Sequence, residues 1–197
     1  MQIDAQGNSS TATKDRITGF GGAPNMGADP RGRRHDSPTW LRAGRAAGDN
    51  LRGRKLVVQM VQTRQPNGAP SFVETLDALD LAASADFALP PVMIYGDDVT
   101  HVITERGVAN LLRCRSPQER EAALRAIGGD TDFGRRQSSE TSLRRRGIVM
   151  APSDLGIDVG SATRDWLAAK SIDDLVTASG GLYVPPAKFR RAVVTRT

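Results

Sequence analysis

Three segments of the chain combine residue types that could do chemistry. Gly19-Phe20-Gly21-Gly22-Ala23-Pro24-Asn25-Met26-Gly27 packs four glycines and an asparagine into nine residues. A backbone with so few side chains lets a ligand approach closely and turns N–H groups toward a phosphate or a developing oxyanion. A plain turn-rich surface loop has the same composition. Asp29-Pro30-Arg31-Gly32-Arg33-Arg34-His35 follows at once. Its three guanidinium groups make an anion clamp if they converge, and a solvated basic loop if they do not. The third segment, Thr104-Glu105-Arg106-Gly107, closes a β-branched run. A carboxylate at a strand end is where α/β proteins place ligand-binding or catalytic groups, although Glu105 would serve equally as a cap or as an ion-pair partner of Arg106. The candidate binding residues are therefore Gly19, Gly21, Gly22, Asn25, Gly27, Arg31, Arg33 and Arg34, and the candidate catalytic residue is Glu105.

Several other chemistries lose support on spacing alone. The glycine loop matches neither G-x-G-x-x-G before a helix nor a loop ending in Gly-Lys-Ser/Thr. Two histidines and one cysteine, far apart, give no zinc-ligand spacing. Ser9, Ser10 and Ser37 stand outside any G-x-S-x-G elbow. His101 falls within a strand pattern and reads as a packed or edge residue, while Cys114 reads as a helix residue. Arg144-Arg145-Arg146 suits the carboxyl end of a helix, and no aromatic residue interleaves with it as single-strand binding would require.

The elements that must position these residues are legible from Lys55 onward. Residues 1–55 are dense in Gly, Asp, Arg and Pro, with one short helix expected from Ser37-Pro38. Lys55–Gln62 is short, apolar and β-branched, as a buried strand would be. Further strands are expected at Ser71–Leu76, Val92–Tyr95 and Val99–Thr104, with a short helix at Asp77–Ala85. From Arg106 the pattern turns helical: Val108, Ala109, Leu111 and Leu112 form one apolar face. Ser116-Pro117-Gln118-Glu119 opens a helix that Gly128-Gly129 ends. Helices are also expected over Ser139–Arg146 and after the caps Ser161 and Ser171, with an extended tail from Leu182. Short strands beside helices imply an α/β protein with an open, mostly parallel sheet and a helix-rich C-terminal third.

Length and composition bound the rest. The chain has 197 residues, 39% of them hydrophobic and 25% charged, which fits a single domain over residues 1–197 with a real core. No apolar run is long enough to span a bilayer, the N-terminus lacks the pattern of a signal peptide, and one cysteine cannot form an intrachain disulfide. A cytoplasmic protein without membrane contact is the expectation. The net charge is +5, with only four lysines among 27 basic residues. That balance invites two readings, nucleic acid on one side and a smaller phosphorylated ligand or an acidic protein on the other, and because aromatics make up only 5% of the chain nucleic acid is not expected.

The same residues resemble a known family. Val102-Ile103-Thr104-Glu105-Arg106-Gly107-Val108-Ala109, Leu111-Leu112-Arg113 and Ser116-Pro117-Gln118-Glu119-Arg120 are similar to a segment in the C-terminal half of coenzyme A transferases. The loop Gly19–Gly27 is similar to their Gly-x-Gly-Gly segment, and Met1–Ser10 to the strand and turn before it. Within that superfamily, residues 19–35, Phe72–Asp77, Pro90–Glu105 and Gly180–Pro186 resemble bacterial malonate decarboxylase alpha subunits, and the likeness covers essentially the whole chain.

The resemblance implies a coenzyme A transferase-like fold and an acyl-carrier-protein transferase, converting acetyl-carrier and malonate to malonyl-carrier and acetate. It implies as cofactor phosphoribosyl-dephospho-coenzyme A on an acyl carrier subunit, or coenzyme A itself, with no metal at the transferase site, and as partners that carrier and the decarboxylase subunits of a complex. It also implies that the chain is the second half of a two-half transferase, with the family's nucleophilic glutamate upstream of it. A non-catalytic fragment that keeps the coenzyme or carrier surface, and a related coenzyme A transferase or citrate lyase alpha-type subunit, are the alternatives. Arg106 stands where the family commonly has an aromatic or acidic residue, and Cys114 where a related position has glycine.

Overall fold

A computed structural model describes residues 1–17, 57–136, 140–180 and 183–186. The chain divides after Ala151 into two compact units. The first is built on a four-stranded sheet of β5 (Val58–Met60), β6 (His101–Thr104), β7 (Gly107–Asn110) and β8 (Val149–Met150), in that spatial order. Two antiparallel pairs precede it in sequence: β1 (Gln2–Ile3) with β2 (Ser9–Ser10), and β3 (Ala12–Thr13) with β4 (Arg16–Ile17).

Among the described residues the main sheet is mixed, which corrects the expectation of a mostly parallel one. Only β5 and β6 run parallel, with Val58 opposite His101 and Met60 opposite Ile103. The β6–β7 and β7–β8 pairs are antiparallel. The cause is local. Glu105-Arg106 makes a two-residue turn that folds Gly107–Asn110 straight back along β6, pairing Thr104 with Gly107 and His101 with Asn110. The segment read as one helical face is thus a strand whose burial alternates, Gly107 and Ala109 inward, followed by a 3-10 turn at Leu111–Arg113. Gly107 is required there. Its φ is +151°, and an added Cβ would lie 2.3 Å from the Met150 carbonyl oxygen on β8.

The other strand expectations hold in part. Val58–Met60 lies within the predicted Lys55–Gln62, whose first two residues are outside the described ones. Ser71–Leu76 and Val92–Tyr95 are not strands. Each supplies one isolated bridge, Phe72 to Ile3 and Ile94 to Ser9, which lets two short segments pair without a ladder. Helix α1 (Asp77–Ser84) forms as expected. Its amino end is capped from afar: Gln2 on β1 accepts from the Asp77 amide at 2.9 Å and donates to the Asp77 carboxylate at 3.0 Å.

Helix α2 (Pro117–Ile127) follows the sequence signal closely. Ser116 is the N-cap, its hydroxyl accepting from the Glu119 amide at 3.2 Å, Pro117 is the first helical residue, and Gly128 ends it. Ala123, Leu124 and Ile127 turn inward and pack with Val102, Ala109, Leu111, Phe133, Leu143 and Ile148 in the main core. The rings of Phe72 and Phe133 stack at 5.8 Å, and Arg125 lies over Phe133 while bridging to Glu74 and Glu121. Helices α3 (Asp132–Arg135) and α4 (Glu140–Arg145) close this unit. Arg146 pairs with Glu119, so the arginine run at the end of α4 is used within the fold.

Arg120 on α2 gathers backbone from two 3-10 turns. Its guanidinium donates to the carbonyls of Gly96, Leu111 (3.2 Å) and Val99 (3.4 Å). Gly96 in turn donates to Asn8, whose amide is folded onto buried Asp4. The second unit holds helices α5 (Val159–Ala168) and α6 (Ile172–Ala178). Ser171 caps α6 as expected, in a reciprocal box with Asp174. Asp158, not Ser161, caps α5: its carboxylate accepts from the Ser161 amide at 2.6 Å, which starts the helix three residues early. The helix expected at Ser37 lies outside the described residues.

Replacing Arg120 with methionine keeps a long apolar stem but takes the charged donor from three carbonyls, of which Gly96 and Leu111 keep a backbone donor from Val99 and Cys114. We expect the first unit to lose about 2 kcal/mol of stability, read as a lower urea midpoint. A midpoint equal to wild type would show that the guanidinium carries no net stability.

Candidate functional site

The parallel pair β5–β6 brings its two carboxyl ends to one edge of the sheet, where open α/β sheets place their ligands. The last ladder bond runs from the Val61 amide to the Ile103 carbonyl at 3.0 Å. Beyond it the strands diverge, and a cleft of about 400 Å³ opens, lined by Gln62, Thr63, Arg64, Glu105, Arg106 and Asp130. A volume of that size suits a small ligand or the end of a larger one.

Glu105 stands exposed on the hairpin turn, with its carboxylate fixed from the neighbouring strand. The Thr63 amide donates to Oε2 at 3.0 Å and to Oε1 at 3.3 Å, and the Thr63 hydroxyl also donates to Oε1. Desolvation by the surrounding chain works against ionisation. The Thr63 bonds, the residue's own amide and the charge of Arg106 outweigh it and hold Glu105 below the usual carboxylate range. The turn is set from behind by Thr104, whose hydroxyl donates to the Ile127 carbonyl at 2.9 Å and accepts from the Arg106 amide at 3.0 Å.

The cationic wall is made of two unlike arginines. Arg64 is committed to backbone, donating to the carbonyls of Gly68 (2.9 Å) and Asp130 (2.7 Å). Asp130 itself bridges to Arg135 at 2.7 Å, and that hydrogen bond keeps its carboxyl low. Arg106 is exposed, and its guanidinium bonds to no side chain among the described residues. The arrangement can therefore hold one anionic group ionised and in place, with a cation beside it to receive a second anion.

Of the sequence-predicted residues, only Glu105 lies in the described structure. Gly19, Gly21, Gly22, Asn25, Gly27, Arg31, Arg33 and Arg34 are outside the described residues. Thr63 and Arg64 were not singled out by sequence. The available signal was the parallel partner itself: residues that end the strand beside β6 must arrive next to Glu105. His101 sits half-buried on β6 with Nδ1 3.1 Å from the Thr100 hydroxyl, and burial lowers its basicity. Cys114 follows the 3-10 turn and is not helical. Burial pushes its thiol up to about 11, so it is unsuited to nucleophilic work at neutral pH. Among the described residues no group of ligating side chains could hold a metal ion, and no helix is long and apolar enough to cross a membrane.

Fold and site together define a mixed α/β protein that carries an ionised carboxylate at the carboxyl ends of a parallel strand pair. The family described as "Malonate decarboxylase, alpha subunit, transporter" matches residues 1–192, and the chain belongs to it. It is 55% identical, over 96% of its length, to the acetyl-S-ACP:malonate ACP transferase of Malonomonas rubra. It is also similar to a chain of a Pseudomonas malonate decarboxylase hetero-tetramer in complex with malonate, at 55% identity and a TM-score of 0.71 over 96% of this chain. The malonate decarboxylase alpha subunit of Acinetobacter baumannii matches at 55% identity and a TM-score of 0.70, again over 96% of this chain. The chain spans 36% of the curated relative's length and 35–36% of the two structural relatives.

The depressed pKa gives Glu105 a sign. A carboxylate held below its ordinary value adds stability above that value and loses it as pH falls through the folded value. The stability difference between wild type and Glu105→Gln should therefore be larger at pH 7 than at pH 3, in urea unfolding at both. A difference independent of pH would contradict this electrostatic account.

Proposed function

We propose that this chain acts in acyl-carrier transfer, exchanging acetyl for malonyl on a carrier-bound thiol, so that acetyl-S-ACP and malonate give malonyl-S-ACP and acetate. The observation that carries this reading is its 55% identity, across 96% of its length, to a protein named for that reaction. The Glu105 cleft supports it from the side of the chemistry.

The residues fit a short dicarboxylate and the reacting end of a thioester arm. The cleft is about 400 Å³, open, and walled by Arg64 and Arg106. Thioester exchange builds negative charge on an acyl oxygen, which cations and backbone N–H groups stabilise. In this reading the carrier's phosphoribosyl-dephospho-coenzyme A, or coenzyme A, supplies the thiol. Glu105 stays ionised at the cleft mouth, and Arg106 opposes the charge of the incoming acid. The loop Gly19–Gly27 and Arg31, Arg33 and Arg34 bind the nucleotide end.

We further read the fold as coenzyme A transferase-like with a helix-rich C-terminal third, which α3 to α6 support. The partners in this reading are the acyl carrier and the decarboxylase subunits of a cytoplasmic complex, and the net charge of +5 suits docking of an acidic carrier.

The test is isotope exchange of labelled malonate into the acyl-carrier thioester. It is run with this chain alone and with a full-length family subunit carrying this chain's sequence over the matching third. We expect incorporation in the full-length arm and a loss of about 100-fold for Glu105→Ala. Absence of malonate-dependent exchange in both arms would overturn the proposal.

A further inference from the structure

We propose that Thr63 is the positioning residue for Glu105, reaching across from the end of β5 to fix the carboxylate at the mouth of the cleft. The inference rests on the reading of Glu105 as a site carboxylate, and four observations carry it.

The first is how the strand ladder ends. After the Val61 amide has bonded to the Ile103 carbonyl, the next donor in register on β5's continuation is the Thr63 amide. It turns to the Glu105 side chain rather than to backbone, so the carboxylate takes the place of a rung. The second is reach. Glu105 is exposed on a tight turn, and a free glutamate there would sample many rotamers. Thr63 contacts both carboxylate oxygens, through its amide and its hydroxyl.

The third is that Thr63 is itself held. It is only 6% exposed, its χ1 is stiff because it is β-branched, and its carbonyl accepts from the Ser71 amide at 2.9 Å. The fourth is the space kept for it. Gly129, just past α2, has a φ of +65°, and a Cβ there would lie 2.9 Å from Thr63 Cγ2 and 3.0 Å from its hydroxyl oxygen. Glycine at 129 thus serves both its own backbone and the seat of Thr63. The same end of α2 accepts from Thr104, so one helix terminus sets both residues that flank the carboxylate.

The experiment follows the Glu105 carboxyl by carbon-13 NMR titration in this chain, for wild type, Thr63→Val and Thr63→Ser, alongside exchange kinetics of the same variants in the full-length family subunit that carries this sequence. Thr63→Val removes the hydroxyl at nearly constant volume. We expect it to move the Glu105 midpoint upward and to lower kcat about 10-fold, with KM changed less than about twofold. Thr63→Ser should restore both, since it keeps the donor. Should Thr63→Val lose the native spectrum, Gly129→Ala, which crowds Thr63, is expected to move the midpoint in the same direction. An unchanged midpoint in Thr63→Val, or a serine variant that behaves like valine, would overturn the proposal. If Glu105→Gln exchanges acyl groups as fast as wild type, the reading of Glu105 fails instead, and the titration still decides whether Thr63 sets it.

Discussion

The guanidinium of Arg120 is the contact on which the rest of the first unit depends. Three carbonyls from two 3-10 turns, Gly96 and Val99 in one and Leu111 in the other, converge on one side chain of α2. The Gly96 and Leu111 carbonyls close 3-10 turns by accepting from Val99 and Cys114, and one charged donor adds a second bond to each while also reaching Val99. Through Gly96 the contact extends to Asn8 and the turn around Asp4. Burial pushes Asp4 up, and hydrogen bonds from Asn8, Gln6 and Gly7 oppose that without cancelling it. The N-terminal turn, the entry to β6, the exit from β7 and helix α2 are thereby fixed as one frame.

That frame matters because α2 ends at the cleft. Ile127 accepts from Thr104, and Gly129 leaves room for Thr63. Thr104 ends β6 and Thr63 lies on the continuation of its parallel neighbour β5, and the two flank Glu105 on its turn. A helix fixed at its first half by Arg120 and at its second by Arg125 therefore presents its carboxyl end as a rigid back wall. The Glu105 side chain is then held at both carboxylate oxygens by Thr63.

Much of this was legible in the sequence, and what was not has a physical reason. The start and stop of α2 could be read because caps are local: Ser116, Pro117 and Gly128 carry the information within a turn of where it acts. Glu105 could be singled out because it ends a β-branched run. The hairpin could not be read so easily, since Val108, Ala109, Leu111 and Leu112 satisfy a helical period as well as a strand interrupted by a turn. What decides between them is Gly107, whose backbone conformation and closeness to Met150 are set by β8, some forty residues on. Thr63 was missed for the same reason. Its role arises only from the pairing of β5 with β6, which no local pattern near residue 63 encodes.

The central claim is that the Glu105 cleft receives the acid that enters the exchange. Backbone amide NMR during a titration with malonate tests it most directly. The account predicts saturable shifts concentrated at Gln62, Thr63, Glu105 and Arg106, weakened by Arg106→Gln. Shifts that saturate elsewhere while these four amides stay unchanged would contradict it.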